Sequence, residues 1–158
     1  MRTTWLALLL AGCAAAPGTN AGADKAPPQA PAPLPGPGAG AYRAAIEASE
    51  APFRLPGTVA ARLNEEVAVG NLRVRIVAIL ENSLCPVDVT CVWAGRVRLR
   101  VAIAGIGEEE LGNDRALPLA DGRQLSLLGM APPNWAHPPA GVDPNAPKRF
   151  ALALSARE

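Results

Sequence analysis

The sequence predicts an all-β domain, a small β-sandwich or partly open barrel of about six or seven strands, preceded by a signal peptide and a disordered Pro/Ala/Gly linker. Three observations predict it. Apolar side chains recur with period two in runs rich in β-branched residues. Glycine-containing dipeptides of the kind that close hairpins lie between such runs. No segment carries the sustained 3.6-residue period of a long helix. A chain of 158 residues holds one domain plus a tail, and about 100 residues suffice to bury a core. The expected division is residues 1–12 as signal peptide, 13–50 as modified cysteine and linker, and 51–158 as the β domain.

The opening MRTTWLALLLAGC has one cation, Arg2, then an apolar run from Trp5 to Leu10. That run is far short of the roughly 20 residues that span a bilayer, so it reads as the apolar region of a signal peptide. Small residues then precede a cysteine at Leu10-Ala11-Gly12-Cys13. On these residues the chain resembles bacterial lipoproteins, with Leu10 to Cys13 as the lipobox. The resemblance implies cleavage before Cys13, a thioether diacylglycerol on its sulfur and an acyl chain on its new amine. Two or three chains anchor stably where one does not. Ala14, rather than Asp, follows the cysteine; by similarity to Gram-negative sorting, this implies an outer-membrane anchor facing the periplasm.

From Ala14 to Gly40 the chain holds seven of its 17 prolines, with Ala and Gly at most other positions. Such a segment has too little apolar surface to offset the entropy of ordering. Extended at ~3.1 Å per residue, it reaches roughly 80 Å. Ala41 to Glu50 has helix propensity, but with only Tyr42 and Ile46 to bury it is assigned to the end of the linker.

Within the domain, Leu72, Val74, Ile76, Ala78 and Leu80 alternate with the opposite phase, as do Val97, Leu99, Val101 and Ile103. Gly70-Asn71 separates Glu65–Val69 from Leu72–Glu81, and Asp121-Gly122 separates Arg115–Ala120 from Arg123–Leu128. Both read as two-residue hairpin loops. Arg149 to Ser155 is a last strand. Ala131 to Pro147 carries six prolines and is a long surface loop, a place where function often resides.

An exported lipoprotein meets an oxidising compartment, and with Cys13 acylated the two cysteines left, Cys85 and Cys91, are expected to form a disulfide. The ring of seven residues is worth about 2 kcal/mol. A redox pair lacks the C-x-x-C spacing, and a metal site lacks further ligands. The surrounding stretch resembles a signature of small uncharacterised secreted bacterial domains, close to D-S-R-C-P-x-x-V-x-C-V-W-A-G. Ser83, Cys85, Pro86, Val89, Cys91, Val92, Trp93, Ala94 and Gly95 match it, while Asn82 and Leu84 replace its Asp and Arg. No activity follows from the resemblance. Trp93 is expected to pack on the disulfide or the core.

Arg73, Arg75, Arg96, Arg98 and Arg100 fall on the outward phase of two strands. Side by side they would form a basic stripe for an anionic envelope component; the alternative is a solvated face offset by Glu65, Glu66 and Glu108 to Glu110. Trp135 and His137, with Asn134, Met130 and Asp143, are a second candidate group, for a sugar or a copper ion. The balance of 15 Lys+Arg against 14 Asp+Glu argues against nucleic acid as a partner. A single histidine, and the absence of G-x-S-x-G, H-E-x-x-H or phosphate-cradling motifs, argue against an enzyme, a metal site and a cofactor. The expected role is a lipid-anchored binding module for an anionic component or a protein, or else an inhibitor that inserts the disulfide-pinned loop into a hydrolase. Mass spectrometry of native material is expected to find a chain that begins at an acylated Cys13, with the other two cysteines oxidised; an unprocessed, fully reduced polypeptide overturns the lipoprotein reading.

Overall fold

A computed structural model describes residues 38–156. The expected signal peptide, Cys13 and most of the expected linker lie outside the described residues. Eight strands form two antiparallel four-stranded sheets that do not close into a barrel, so the fold is a small β-sandwich. One sheet contains β1 (Thr58–Arg62), β8 (Arg149–Ala156), β7 (Arg123–Ala131) and β6 (Leu117–Pro118), in that order. The other runs β2 (Glu66–Val69), β3 (Leu72–Asn82), β4 (Val97–Ile103) and β5 (Gly107–Gly112).

Alternation drives the stacking. Val74, Ile76, Leu99, Val101 and Leu111 of one sheet meet Leu125, Phe150 and Leu152 of the other, all with no accessible surface. With two phenylalanines in the whole chain, the centre is one aromatic, Phe150, set among aliphatic side chains. The chain changes sheet between β1 and β2 at Asn64, which takes φ 63° and donates its N–H to the Ile76 carbonyl at 2.7 Å. Asparagine tolerates that left-handed conformation better than most residues.

The Gly70-Asn71 hairpin forms as the sequence predicts, with Val69 opposite Leu72 and Gly70 at φ 62°. The Asp121-Gly122 turn is one residue longer than expected. Leu119 and Arg123 close it, Gly122 donates to Leu119 O at 3.1 Å, and Gly122 sits at φ 79°, the arrangement of a three-residue loop with a terminal left-handed residue. The strand before it contracts to Leu117–Pro118, with Leu119 N–H donating to Arg123 O at 2.8 Å to carry the pairing into the turn. β3 breaks its own alternation: bulges at Ile76/Ala78 and Ile79/Glu81 turn Leu80 outward, 39% exposed, where strict period two would bury it.

Two strands go unpredicted, the alanine-rich β1 and the glutamate-rich β5. A third difference lies at the N-terminal boundary. Ala39–Glu50, assigned to the linker, is a helix of 12 residues, α1, that continues into a 3-10 turn at Ala51–Arg54. It packs against β7 although none of its residues is buried. Its anchors are at its ends: the Tyr42 ring lies 5.3 Å from that of Trp135, and Glu50 pairs with Arg149, whose guanidinium sits 4.9 Å over Phe53. Pro52 occupies the space above Gly129, where a Cβ would come within 2.8 Å of its ring. Phe150→Ala is expected to destabilise the domain by about 3–5 kcal/mol, read from the shift in urea midpoint at unchanged m-value.

Candidate functional site

The connection from β3 to β4 carries the cysteines, and its backbone prolongs the hairpin past the strand ends. Ser83 N–H donates to Arg96 O at 2.9 Å, Arg96 N–H to Ser83 Oγ at 3.1 Å, and Cys85 N–H to Ala94 O at 3.0 Å. Gly95 makes this possible: it takes φ 70°, and a Cβ there would stand 1.8 Å from the Ser83 carbonyl oxygen. Beyond this rung the expected Cys85–Cys91 disulfide is present, with the two Cα atoms 5.9 Å apart.

This loop is fastened to the proline-rich one. Val87 N–H donates to Asn134 O at 3.0 Å. The side-chain amides of Asn82 and Asn134 bond to each other at 2.9 and 3.2 Å, and Asn134 Nδ2 also donates to Leu84 O at 3.2 Å. Asp88 completes the clasp, accepting the backbone N–H groups of Ala136 at 2.8 Å and His137 at 2.6 Å. Its side chain is 0% exposed. That burial by itself would raise the Asp88 carboxyl, but the two backbone donors outweigh it and hold the group below its usual value. The His137 ring, 3.5 Å away, is itself mostly exposed. At the far end of the same loop Lys148 Nζ donates to the carbonyls of Pro132 and Pro133 at 3.0 and 3.1 Å, with burial lowering its pKa.

What this scaffold holds out is apolar. Trp93, expected against the disulfide or the core, is 72% exposed, and Val92 beside it is 89% exposed; Val87 and Val89 are exposed as well. The ladder explains why. Ala94 and Gly95 are committed to Cys85 and Ser83, so residues 92 and 93 ride on the outside of a closed ring. Beside the ring is an apolar crevice of about 210 Å³ between α1, the end of β7 and the disulfide loop.

Arg73, Arg75, Arg98 and Arg100 do share the outward face of the β2-β3-β4-β5 sheet, and Arg96 joins them through Glu81. They do not form a bare basic stripe. Arg73 pairs with Glu66 at 2.7 Å, Arg96 with Glu81 at 2.8 Å, Arg98 with both Glu110 and Glu81, and Arg100 with Glu108 at 3.9 Å. Among the described residues Arg75 alone of the five makes no ion pair, so carboxylates offset four of the five guanidiniums, closer to the charge-balanced reading than to the bare stripe. Glu65 lies apart from it and pairs with Arg62 instead. The second candidate group does not converge either. Trp135 packs against Tyr42 at a tilt of 56° with its Nε1 covered, Met130 is in the core, and Asp143 caps Asn145 in its own turn. Among the described residues no three His, Cys, Asp or Glu side chains come together as a metal set.

Fold and site together define a β-sandwich whose two longest connections are clasped into one rigid end that presents an apolar tip. The chain matches no protein-family model, no curated protein and no solved structure. The tip itself was legible only as a motif: its glycine and cysteines are visible in sequence, whereas the Asp88 and Asn134 bonds that orient it join residues about 50 positions apart.

Asp88 sets a pH signature. A carboxyl held below its usual 3.8 contributes stability in full above that value and loses it as pH falls through the folded-state pKa. Asp88→Ala is therefore expected to cost about 1–2 kcal/mol at pH 7, with the deficit shrinking below about pH 4, read by urea unfolding at several pH values.

Proposed function

We propose that the protein is a lipid-anchored component of a bacterial envelope, held by Cys13 and a proline-rich spacer, whose β-sandwich is a non-catalytic binding module that engages a protein partner through the disulfide-pinned loop. One observation carries this reading: Trp93 and Val92 are 72% and 89% exposed on a loop that a disulfide, a ladder extension and the Asp88 clasp keep from folding back. Large apolar groups fixed in water disfavour the free surface and reward its burial. A tryptophan on a preorganised loop is well suited to anchor such a contact, because little ordering cost is left for binding. The charge-balanced arginine face supports this choice over an anionic polymer, since each guanidinium that pairs with a carboxylate is less available to a ligand. The outer-membrane, periplasm-facing anchor belongs to the same proposal.

The rigidity of the ring also favours a second reading within the binding class, an inhibitor whose loop enters the cleft of a periplasmic or secreted hydrolase. Capture from envelope extracts separates these readings from the charged-surface one. Trp93→Ala is expected to abolish capture of the partner while retention survives 0.5 M salt (about a 4 Å Debye length) and survives Arg96, Arg98 and Arg100 to Ala. Loss on the arginine changes with no effect of Trp93→Ala overturns the proposal, and inhibition of a captured hydrolase selects the second reading.

A further inference from the structure

We infer that the cleft between the end of β1, the bulged stretch of β3 and the close of the proline-rich loop binds a small anionic amphiphile, a free carboxylate carrying a medium-length aliphatic chain. The inference is independent of the apolar tip, since no residue of the disulfide loop lines this cleft. Its volume is about 460 Å³, within the range of small-molecule sites. Leu63, Ile79, Pro144, Ala146 and Pro147 supply its apolar wall. Leu63 is 45% and Ile79 39% exposed, so a ligand that covers them gains from taking aliphatic surface out of water. The backbone explains their exposure. Leu63 lies where the chain changes sheet, bridged to Ile76, and the register shift after Ile79 breaks the alternation of β3.

The charges on the wall are of one sign. Arg62 and Lys148 line the cleft and no Asp or Glu does. Glu65 accepts the Arg62 N–H and lies 3.9 Å from its guanidinium, and Asp143 accepts the Asn145 N–H; these neighbouring acids both stand outside the lining. Lys148 Nζ donates to the carbonyls of Pro132 and Pro133 at 3.0 and 3.1 Å, which leaves its remaining N–H without a protein partner. Burial lowers its pKa, and no carboxylate acts in the other direction. A half-buried ammonium held only by neutral carbonyls keeps an uncompensated charge, and a carboxylate supplies both the counter-charge and the missing acceptor. A neutral apolar ligand would desolvate Lys148 further without pairing it. A bare anion would leave the aliphatic wall in water, and a cation meets like charge. A ligand with an anionic head and an apolar body answers both halves of the cleft.

The test is binding of sodium octanoate to the proposed mature chain, residues 13–158, carrying Cys13→Ser so that it stays unacylated, measured by titration calorimetry and amide NMR shifts. Saturable binding with a Kd below about 1 mM is expected, with shifts at Leu63, Ile79, Ala146 and Lys148. Octanol, which lacks the charge, and sodium acetate, which lacks the chain, are each expected to bind at least about 10-fold more weakly. Lys148→Met keeps an apolar stem and is expected to weaken octanoate about 10-fold while leaving octanol unchanged. Because Lys148 also holds Pro132 and Pro133, Ile79→Asp carries the same test at an exposed position: a carboxylate on the wall is expected to weaken octanoate more than octanol. No saturable binding up to about 10 mM octanoate overturns the inference. So do equal affinities for octanol and octanoate, indifference to both variants, or binding to phosphatidylglycerol vesicles in place of octanoate. Trp93→Ala is expected to leave octanoate binding unchanged, so failure here leaves the proposed function standing, and loss of Trp93-dependent capture leaves this site standing.

Discussion

Two backbone N–H groups bonded to one carboxylate hold the loop end of this molecule in place. Asp88 reaches from the cysteine ring to Ala136 and His137 in the proline-rich loop, and with the Asn82–Asn134 amide pair it makes one body of two connections far apart in sequence. The disulfide alone would not do this. A ring of this size contributes about 2 kcal/mol by restricting the unfolded chain, and it fixes residues 85 and 91 relative to each other only. Orientation against the rest of the sandwich comes from the hydrogen bonds that leave the ring. Each is worth about 1 kcal/mol, more where the acceptor is charged, so together they match the covalent link.

The two outer faces of the sandwich follow different rules. On the β2-β3-β4-β5 side, guanidiniums and carboxylates alternate across neighbouring strands, with Arg100 opposite Glu110 and Arg75 opposite Glu66. Exposed pairs of this kind add little net stability. Their effect is on association: β5 is an edge strand, and Glu108, Glu109 and Glu110 along it oppose pairing with another sheet. The other sheet is edged by β6, only two residues long, with α1 and its 3-10 extension packed against β7. Edge association is thus discouraged at β5 by charge and limited at β6 by its length; the other two edges are β1 and β2, short strands of five and four residues.

Much of this architecture is legible from residue types alone. The Gly70-Asn71 turn is, because a positive φ in a short loop calls for glycine, and so is the inward phase of β4, whose branched and apolar residues alternate without interruption; in β7 the alternation holds at Leu125 and Leu127 and breaks at the register shift that follows. β1 is not, because Thr-Val-Ala-Ala-Arg has little hydrophobic contrast; Ala61 is buried because it lies opposite Phe150, a neighbour that only the tertiary fold supplies. β5 is hidden by its glutamates, whose strand propensity is poor but whose arginine partners on β4 are one strand away. The helix has too few apolar residues to read as part of the domain, and its aromatic partner Trp135 and its ion-pair partner Arg149 lie more than 90 residues on. The bulges in β3 carry no sequence mark at all.

Trp93 lies outside, against the expectation from residue type, for a physical reason. A tryptophan beside a cysteine in a strand-rich domain is ordinarily a core residue, because its area is large and burial rewards it. Here the backbone takes precedence. Cys85 N–H donates a ladder bond to Ala94 O, Gly95 lies so close to Ser83 that no side chain fits between them, and the ring closes at Cys91; the two residues left over have no interior to turn toward. For Trp93 to fold in, the loop would have to surrender the ladder bonds that the strands above it impose, along with the Asp88 clasp. Burying one indole recovers a few kcal/mol at most, about what those bonds are worth together. Only a surface brought from outside removes the indole from water without that loss, so the same bonds that deny Trp93 a place in the core make it available for binding.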